Sequence, residues 1–147
     1  MARENLNTTG LVLGKFHPPT LGHCYLVDFA RHYVRDLTVI VGTLEREEIP
    51  GAQRVAWMRE LFPDVRIVHL TDENPQYPGE HPDFWEIWRA SIRRFVQSGP
   101  DVVFASEDYG RVLADVLGAA YVPVDHARAA RSVTASAVRT DPMGHWE

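Results

Sequence analysis

Cysteine occurs once, at Cys24, so no internal disulfide can form and the chain suits a reducing compartment. Long hydrophobic runs are also missing. No stretch approaches the roughly 18 apolar residues of a membrane span, and no signal-peptide pattern opens the chain. The expectation is a soluble, cytoplasmic protein without a membrane partner. An excess of basic residues is absent too: the formal charge is -5 and the pI is near 5.8. That balance argues against a nucleic-acid or anionic-membrane surface, since both need clustered Lys and Arg. A small anionic ligand needs only a local positive pocket, so it stays open. Glycine and proline, ten each, mark no low-complexity tract, and no repeat or interdomain linker is visible. What is present is ordinary for a globular protein: 147 residues, 45% hydrophobic and 24% charged. A single domain over 1–147 with one substantial core follows.

Short β-branched runs alternate with longer helical stretches. Strands are expected at Gly10–Gly14, Leu37–Val41, Arg66–Leu70, Val102–Ala105 and Ala120–Val124. Helices are expected at Leu21–Val34, Gln53–Phe62, Asp83–Gln97 and Arg111–Leu117, with a closing helix beginning over Thr134–Arg139. In the first helix Leu21, Tyr25, Leu26, Phe29 and Ala30 recur along one face. In the second, Val55, Met58, Leu61 and Phe62 do so. This alternation predicts an α/β fold, a Rossmann-like doubly wound, five-stranded parallel sheet with helices on both faces. The longest irregular segment runs from Thr71 to Pro82, a length more often functional than structural. Ligands of such sheets bind beyond the carboxyl ends of the strands, which directs attention to the loop after strand one.

That loop reads Gly14-Lys15-Phe16-His17-Pro18-Pro19-Thr20-Leu21-Gly22-His23. Gly14 permits a tight turn, and the two prolines hold an extended path. Thr20 is a good N-cap, after which the helix offers free N–H groups and the positive end of its dipole. Gly22 leaves space against the first turn, and Lys15 and His23 can direct two cationic or hydrogen-bonding groups at one volume. Together these describe a phosphate site. Phe16 and His17 lie in the same loop and are candidate ligand contacts. No P-loop pattern occurs anywhere in the chain.

The same segment resembles the [H/T]-x-G-H signature of the nucleotidylyltransferase superfamily, with wording similar to the NadR-type nicotinamide mononucleotide adenylyltransferases. The resemblance continues through Gln53-Arg54-Val55-Ala56-Trp57-Met58, then Trp85 and Trp88 after Pro75-Gln76-Tyr77-Pro78, and then Ser106-Glu107. It closes with Ser132 to Arg139, which resembles the superfamily's second, Ser/Thr-rich signature, and with Asp141 to Trp146. Two features depart from the family. Thr20 stands where the first signature histidine would be, as in phosphopantetheine adenylyltransferases. The 147 residues also leave no room for a ribosylnicotinamide kinase domain, nor for a DNA-binding helix-turn-helix before Gly10. The expectation for residues 1–147 is a single nucleotidylyltransferase domain.

The resemblance implies attack by a nucleotide 5′-phosphate on the α-phosphorus of ATP. The nucleophile is already an anion, so positioning and charge neutralisation carry the catalysis. The catalytic set implied is His23, Lys15, Thr20 and Arg139, with Thr134 and Ser136 adding donors. Gly14, Phe16, His17, Gly22, Arg54, Ser106 and Glu107 are the implied binding positions, and one of Trp85 and Trp88 would stack on the nicotinamide ring. Mg²⁺ would arrive with ATP, and no protein-held metal is expected: His32, His69, His81, His126 and His145 show no metal-ligand spacing with Cys24. The substrates implied are ATP and nicotinamide mononucleotide, the product NAD, and relatives commonly form homo-oligomers. Arg54 is read either as ordering the cleft or as a surface ion pair. Glu45 to Glu48 is read as a solvated loop in which Arg46 could gate the cleft, and Cys24 as a packing residue. Two alternatives stand beside the leading one: another superfamily enzyme, above all phosphopantetheine adenylyltransferase, and a non-catalytic nucleotide sensor.

Overall fold

A computed structural model describes residues 8–124. The expected closing helix, with Thr134, Ser136 and Arg139, lies outside the described residues. The elements are β1 (Thr9–Gly14), α1 (Leu21–Tyr33), β2 (Asp36–Gly42), α2 (Gly51–Leu61) and β3 (Arg66–Leu70). They continue with a short 3-10 turn (Pro78–Glu80), α3 (Phe84–Arg93), β4 (Val102–Ala105), α4 (Tyr109–Leu117) and β5 (Ala120–Pro123). All five strands are parallel, in the order β3-β2-β1-β4-β5. The chain thus winds outward in one direction through β1, β2 and β3. It then crosses back to wind the other way through β4 and β5, and β1 and β4 flank the switch point.

Strand alternation divides the apolar residues between two cores. Val12, Val39, Val41, Ile67, Val102 and Phe104 pack with Leu26, Val27 and Ala30 of α1 and Val55 and Met58 of α2. Leu11, Ile40, Val68, Leu70 and Val103 pack with Ile92 of α3 and Leu113, Ala114 and Leu117 of α4. Burial on both faces is why these strands read as continuous apolar runs rather than alternating ones. β1 runs alongside β2 over its whole length, from Thr9–Asp36 to Gly14–Val41. It pairs with β4 only at Gly10–Val102 and Leu11–Val103. Beyond that point the two strands part, and the Tyr109 hydroxyl donates to the Leu13 carbonyl at 2.7 Å instead of a ladder bond.

Three details differ from the sequence expectation. The buried face of α1 carries Gly22, His23, Leu26, Val27 and Ala30, whereas Leu21, Tyr25 and Phe29 are exposed. In α2, Leu61 is exposed while Val55, Met58 and the following Phe62 are buried. The third helix stops at Arg93, short of Gln97. There Phe95 and Val96 turn their N–H groups back to the Ile92 carbonyl, and Arg66 Nη1 claims the Phe95 carbonyl at 2.8 Å. α4 ends at Gly118, whose φ of 71° is a left-handed cap that glycine adopts without steric cost.

Gly110, in the first turn of α4, lets the helix approach β4 closely. A Cβ there would lie 2.6 Å from Ala105 Cβ and 2.7 Å from the Tyr121 ring. Helix propensity alone would make Gly110→Ala stabilising by about 1 kcal/mol. The clash is expected to reverse that sign and cost about 1–3 kcal/mol, read as a lower urea midpoint.

Candidate functional site

The loop between β1 and α1 folds over its own glycine. Phe16 takes a left-handed backbone, φ 49°, and is buried. Its ring lies where a Gly14 Cβ would be only 3.1 Å away, so any larger residue there would have to push the ring aside. The same ring meets His23 edge to face, centroids 5.0 Å apart. Apolar packing thus fixes one side of the imidazole.

Hydrogen bonds fix the other side. Thr20 caps α1: the His23 N–H donates to Thr20 Oγ1 at 3.2 Å, and the Thr20 N–H donates to His23 Nδ1 at 2.9 Å. This is a reciprocal capping box with histidine in the third position. A nitrogen that accepts carries no hydrogen, so the neutral ring holds its N–H at Nε2. His23 is 2% exposed, a buried polar group whose orientation is set before any ligand arrives. Gly22 is buried beside it in the first turn.

A second loop, between β2 and α2, is tied to the first by Arg54. This guanidinium is 0% exposed. Its Nε donates to the Ile49 carbonyl at 3.1 Å, Nη1 to the Lys15 carbonyl at 3.1 Å, and Nη2 to Glu47 Oε1 at 2.7 Å. Glu47 also accepts the Leu44 N–H at 2.9 Å, and its other oxygen pairs with the Lys15 ammonium. Burial alone would push the Glu47 carboxyl up. The hydrogen bonds from Lys15, Leu44 and Arg54 overcome that and hold its pKa at about 2. His17 adds a further tie, its Nε2 accepting the Ile49 N–H at 3.1 Å. Burial, then the Arg54 charge, lowers the His17 pKa, as suits an accepting ring.

Two expectations are corrected here. Arg54 is no surface ion pair; it is the buried tie between two loops. The Glu45 to Glu48 run is not uniformly solvated, because Glu45, Arg46 and Glu48 are exposed while Glu47 points inward. Glu47 was missed because its partners lie 7 and 32 residues away in sequence. One signal could have found Arg54: it shares the buried α2 face with Val55 and Met58, a charge at a core position. Lys15 is the only lysine in the chain.

Further candidate residues stand at the carboxyl ends of β4 and β2, on either side of β1. Ser106 Oγ is buried and has no hydrogen-bond partner among the described residues, and the adjacent Glu107 carbonyl accepts the Tyr121 hydroxyl at 3.1 Å. Trp88 donates Nε1–H to the Pro75 carbonyl at 2.9 Å, and a methyl group on Gly42 would touch its ring at 3.7 Å. It therefore stands at the carboxyl end of β2. Trp85 packs edge to face on Phe84 at 4.8 Å, and both tryptophans lean on the α3/α4 core. The irregular segment before them is tied to α3 by Asp72, which accepts from Ser91 and Arg94, each at 2.7 Å. Cys24 is half-buried against the α1/α2 core, and burial pushes its thiol pKa up. Lys15, Phe16, His17, Thr20, Gly22, His23 and Arg54 are thus gathered around one loop at the sheet's carboxyl edge.

A parallel sheet of this kind has counterparts among solved structures. A NadR structure in complex with NAD and AMP-PNP superposes with a TM-score of 0.64 at 19% identity, covering 95% of this chain and 44% of that one. A bifunctional NMN adenylyltransferase/ADP ribose pyrophosphatase from Francisella tularensis, complexed with AMP and a Mn ion, gives 0.59 at 16% identity over 81% of this chain and 37% of its own. These likenesses establish the Rossmann-like α/β fold. In sequence the chain is homologous to NadR, a trifunctional NAD biosynthesis/regulator protein: 29% identity to the Escherichia coli (strain K12) protein over 156 residues. That alignment covers 95% of this chain and 38% of the length of the relative. No protein-family model matches the chain. Among the described residues, no helix is long and apolar enough to cross a membrane.

Arg54→Met removes all three ties of the guanidinium and deprives the Glu47 carboxylate of its buried cation. It is expected to cost about 3–5 kcal/mol in chemical denaturation. The Glu47 carboxyl also gives stability a pH dependence. Its folded pKa lies below the ordinary 4.5, so its contribution is complete above 4.5 and is lost as pH falls toward about 2. The urea midpoint should therefore fall more steeply over that range in the native protein than in Glu47→Gln.

Proposed function

We propose that this chain is a nucleotidyltransferase of NAD biosynthesis that transfers AMP from ATP to the 5′-phosphate of nicotinamide mononucleotide. A phosphate oxygen of the mononucleotide attacks the α-phosphorus, the bond to the bridging oxygen of the β-phosphate breaks, and pyrophosphate leaves. NAD is the product. The observation that carries this reading is the pinned His23 in the first turn of α1: Nδ1 accepts the Thr20 N–H, so the neutral ring carries its hydrogen on Nε2, and its orientation is preset. Such a donor strengthens its bond as charge builds on the transferring phosphate, at no cost in reorganisation.

The other roles follow from chemistry. Lys15 supplies positive charge beside the helix N-terminus, and Arg139, Thr134 and Ser136 are proposed to complete the phosphate contacts from the second signature. The buried, unpartnered Ser106 hydroxyl supports a ligand contact at the end of β4. Trp88 is the better choice of the two tryptophans for stacking on the nicotinamide ring, because its indole reaches Gly42 at the end of β2. Both Glu47 oxygens are committed to cations, so this carboxylate suits no metal. Mg²⁺ would instead be carried by the oxygens of ATP, where it neutralises the leaving pyrophosphate. A cytoplasmic setting, where ATP and the mononucleotide are available, belongs to the same reading.

Thr20 gives a second reading specific support, since phosphopantetheine adenylyltransferases also carry threonine there. Pyrophosphate release from ATP and Mg²⁺, with each acceptor offered separately, distinguishes the two. Turnover is expected with nicotinamide mononucleotide, and His23→Ala is expected to lower it roughly a hundredfold. Turnover with phosphopantetheine alone would transfer the assignment to that substrate. Tight ATP binding without pyrophosphate release from either would make the chain a nucleotide sensor.

A further inference from the structure

Lysine and arginine are used very unequally here: the single lysine stands in the loop after β1, and every other cationic side chain of this kind is an arginine. A lysine ammonium on four methylenes is mobile, and holding it in one place costs rotamer entropy. In this protein the restraint is already present. Arg54 grips Lys15 at both ends, directly through the Lys15 carbonyl at 3.1 Å and indirectly through Glu47, which pairs with the ammonium. Glu47 is itself tied at both oxygens. Its side chain is 9% exposed, Oε1 accepts both Arg54 and the Leu44 N–H, and Oε2 is the oxygen that meets Lys15. The circuit of Lys15 ammonium, Glu47, Arg54 and Lys15 carbonyl closes on itself.

We propose that Glu47 is a positioning residue for the candidate phosphate loop, holding the Lys15 ammonium in advance at the place where it meets the polyphosphate of ATP. The inference rests on the reading of that loop as the ATP phosphate site. Glu47 does not touch the nucleotide; it acts through Lys15. A phosphate approaching the loop shares the ammonium with a carboxylate that Arg54 keeps from following, so ligand binding need not order a free lysine.

The presence of one lysine makes the test residue-specific. Protein labelled with ¹³C at lysine Cε gives a single side-chain signal by NMR. In the native protein its two Hε protons are expected to be inequivalent, and in Glu47→Gln they should average to one resonance while the fold, read by the backbone amide spectrum, is retained. Calorimetric binding of Mg·ATP supplies the second readout. Glu47→Gln should weaken binding roughly tenfold, the size that lysine rotamer entropy allows. In a Lys15→Met background the same substitution should change it by less than about twofold. Equal losses in both backgrounds, or a Lys15 signal that Glu47→Gln leaves unchanged, would overturn the proposal and leave Glu47 as a partner of Arg54 only. Should Glu47→Gln fail to fold, Glu47→Asp withdraws the carboxylate by one methylene and is read the same way. Lys15→Met is the independent control: full Mg·ATP affinity in that variant would defeat the phosphate-loop reading itself, whatever Glu47 does.

Discussion

A charge with no access to water organises the carboxyl edge of this sheet. Arg54 sits on the core-facing side of α2 between Val55 and the buried floor of two loops, and a bare guanidinium there would be prohibitively costly. Three acceptors supplied by three different residues remove that cost. Each acceptor belongs to a loop that would otherwise have little to hold it. The energetic demand of one buried cation is therefore converted into the geometry of the β1–α1 and β2–α2 loops together. Lys15, His17 and the path into α1 depend on that arrangement.

On this base the site divides its labour between packing and hydrogen bonding. Phe16, at a left-handed backbone position, seals the loop from below and buttresses His23. The Thr20 cap sets which nitrogen of that ring carries the hydrogen. Thr20 thus holds His23 through both its N–H and its hydroxyl. At the end of β4 the Ser106 hydroxyl is buried without a partner among the described residues.

The sheet was legible in sequence because strands buried on both faces appear as short apolar runs, and all five were found within a residue or two. Helix faces were less legible. In α1 the aromatic residues Tyr25 and Phe29 recur at helical spacing as regularly as the buried set, which includes a glycine and a histidine. Periodicity detects a stripe but does not say which stripe meets the sheet. The β1–α1 loop stood out because its residues are adjacent in sequence. The Glu47 junction did not, since it joins positions far apart and lies within a run whose other members are solvated. Local pattern cannot distinguish one inward-facing glutamate among its neighbours; only the tertiary position of Arg54 does so.

The parting of β1 and β4 after two paired positions bears on how such a protein can change over evolutionary time. The crevice is a fork in the backbone, produced by topology and bridged by the Tyr109 hydroxyl, rather than a gap left by small side chains. Substitutions can repaint the walls of a fork, but they cannot fill it in the way a larger residue fills a cavity. A lineage built on this scaffold can therefore change the side chains around the opening while the opening itself is inherited unchanged.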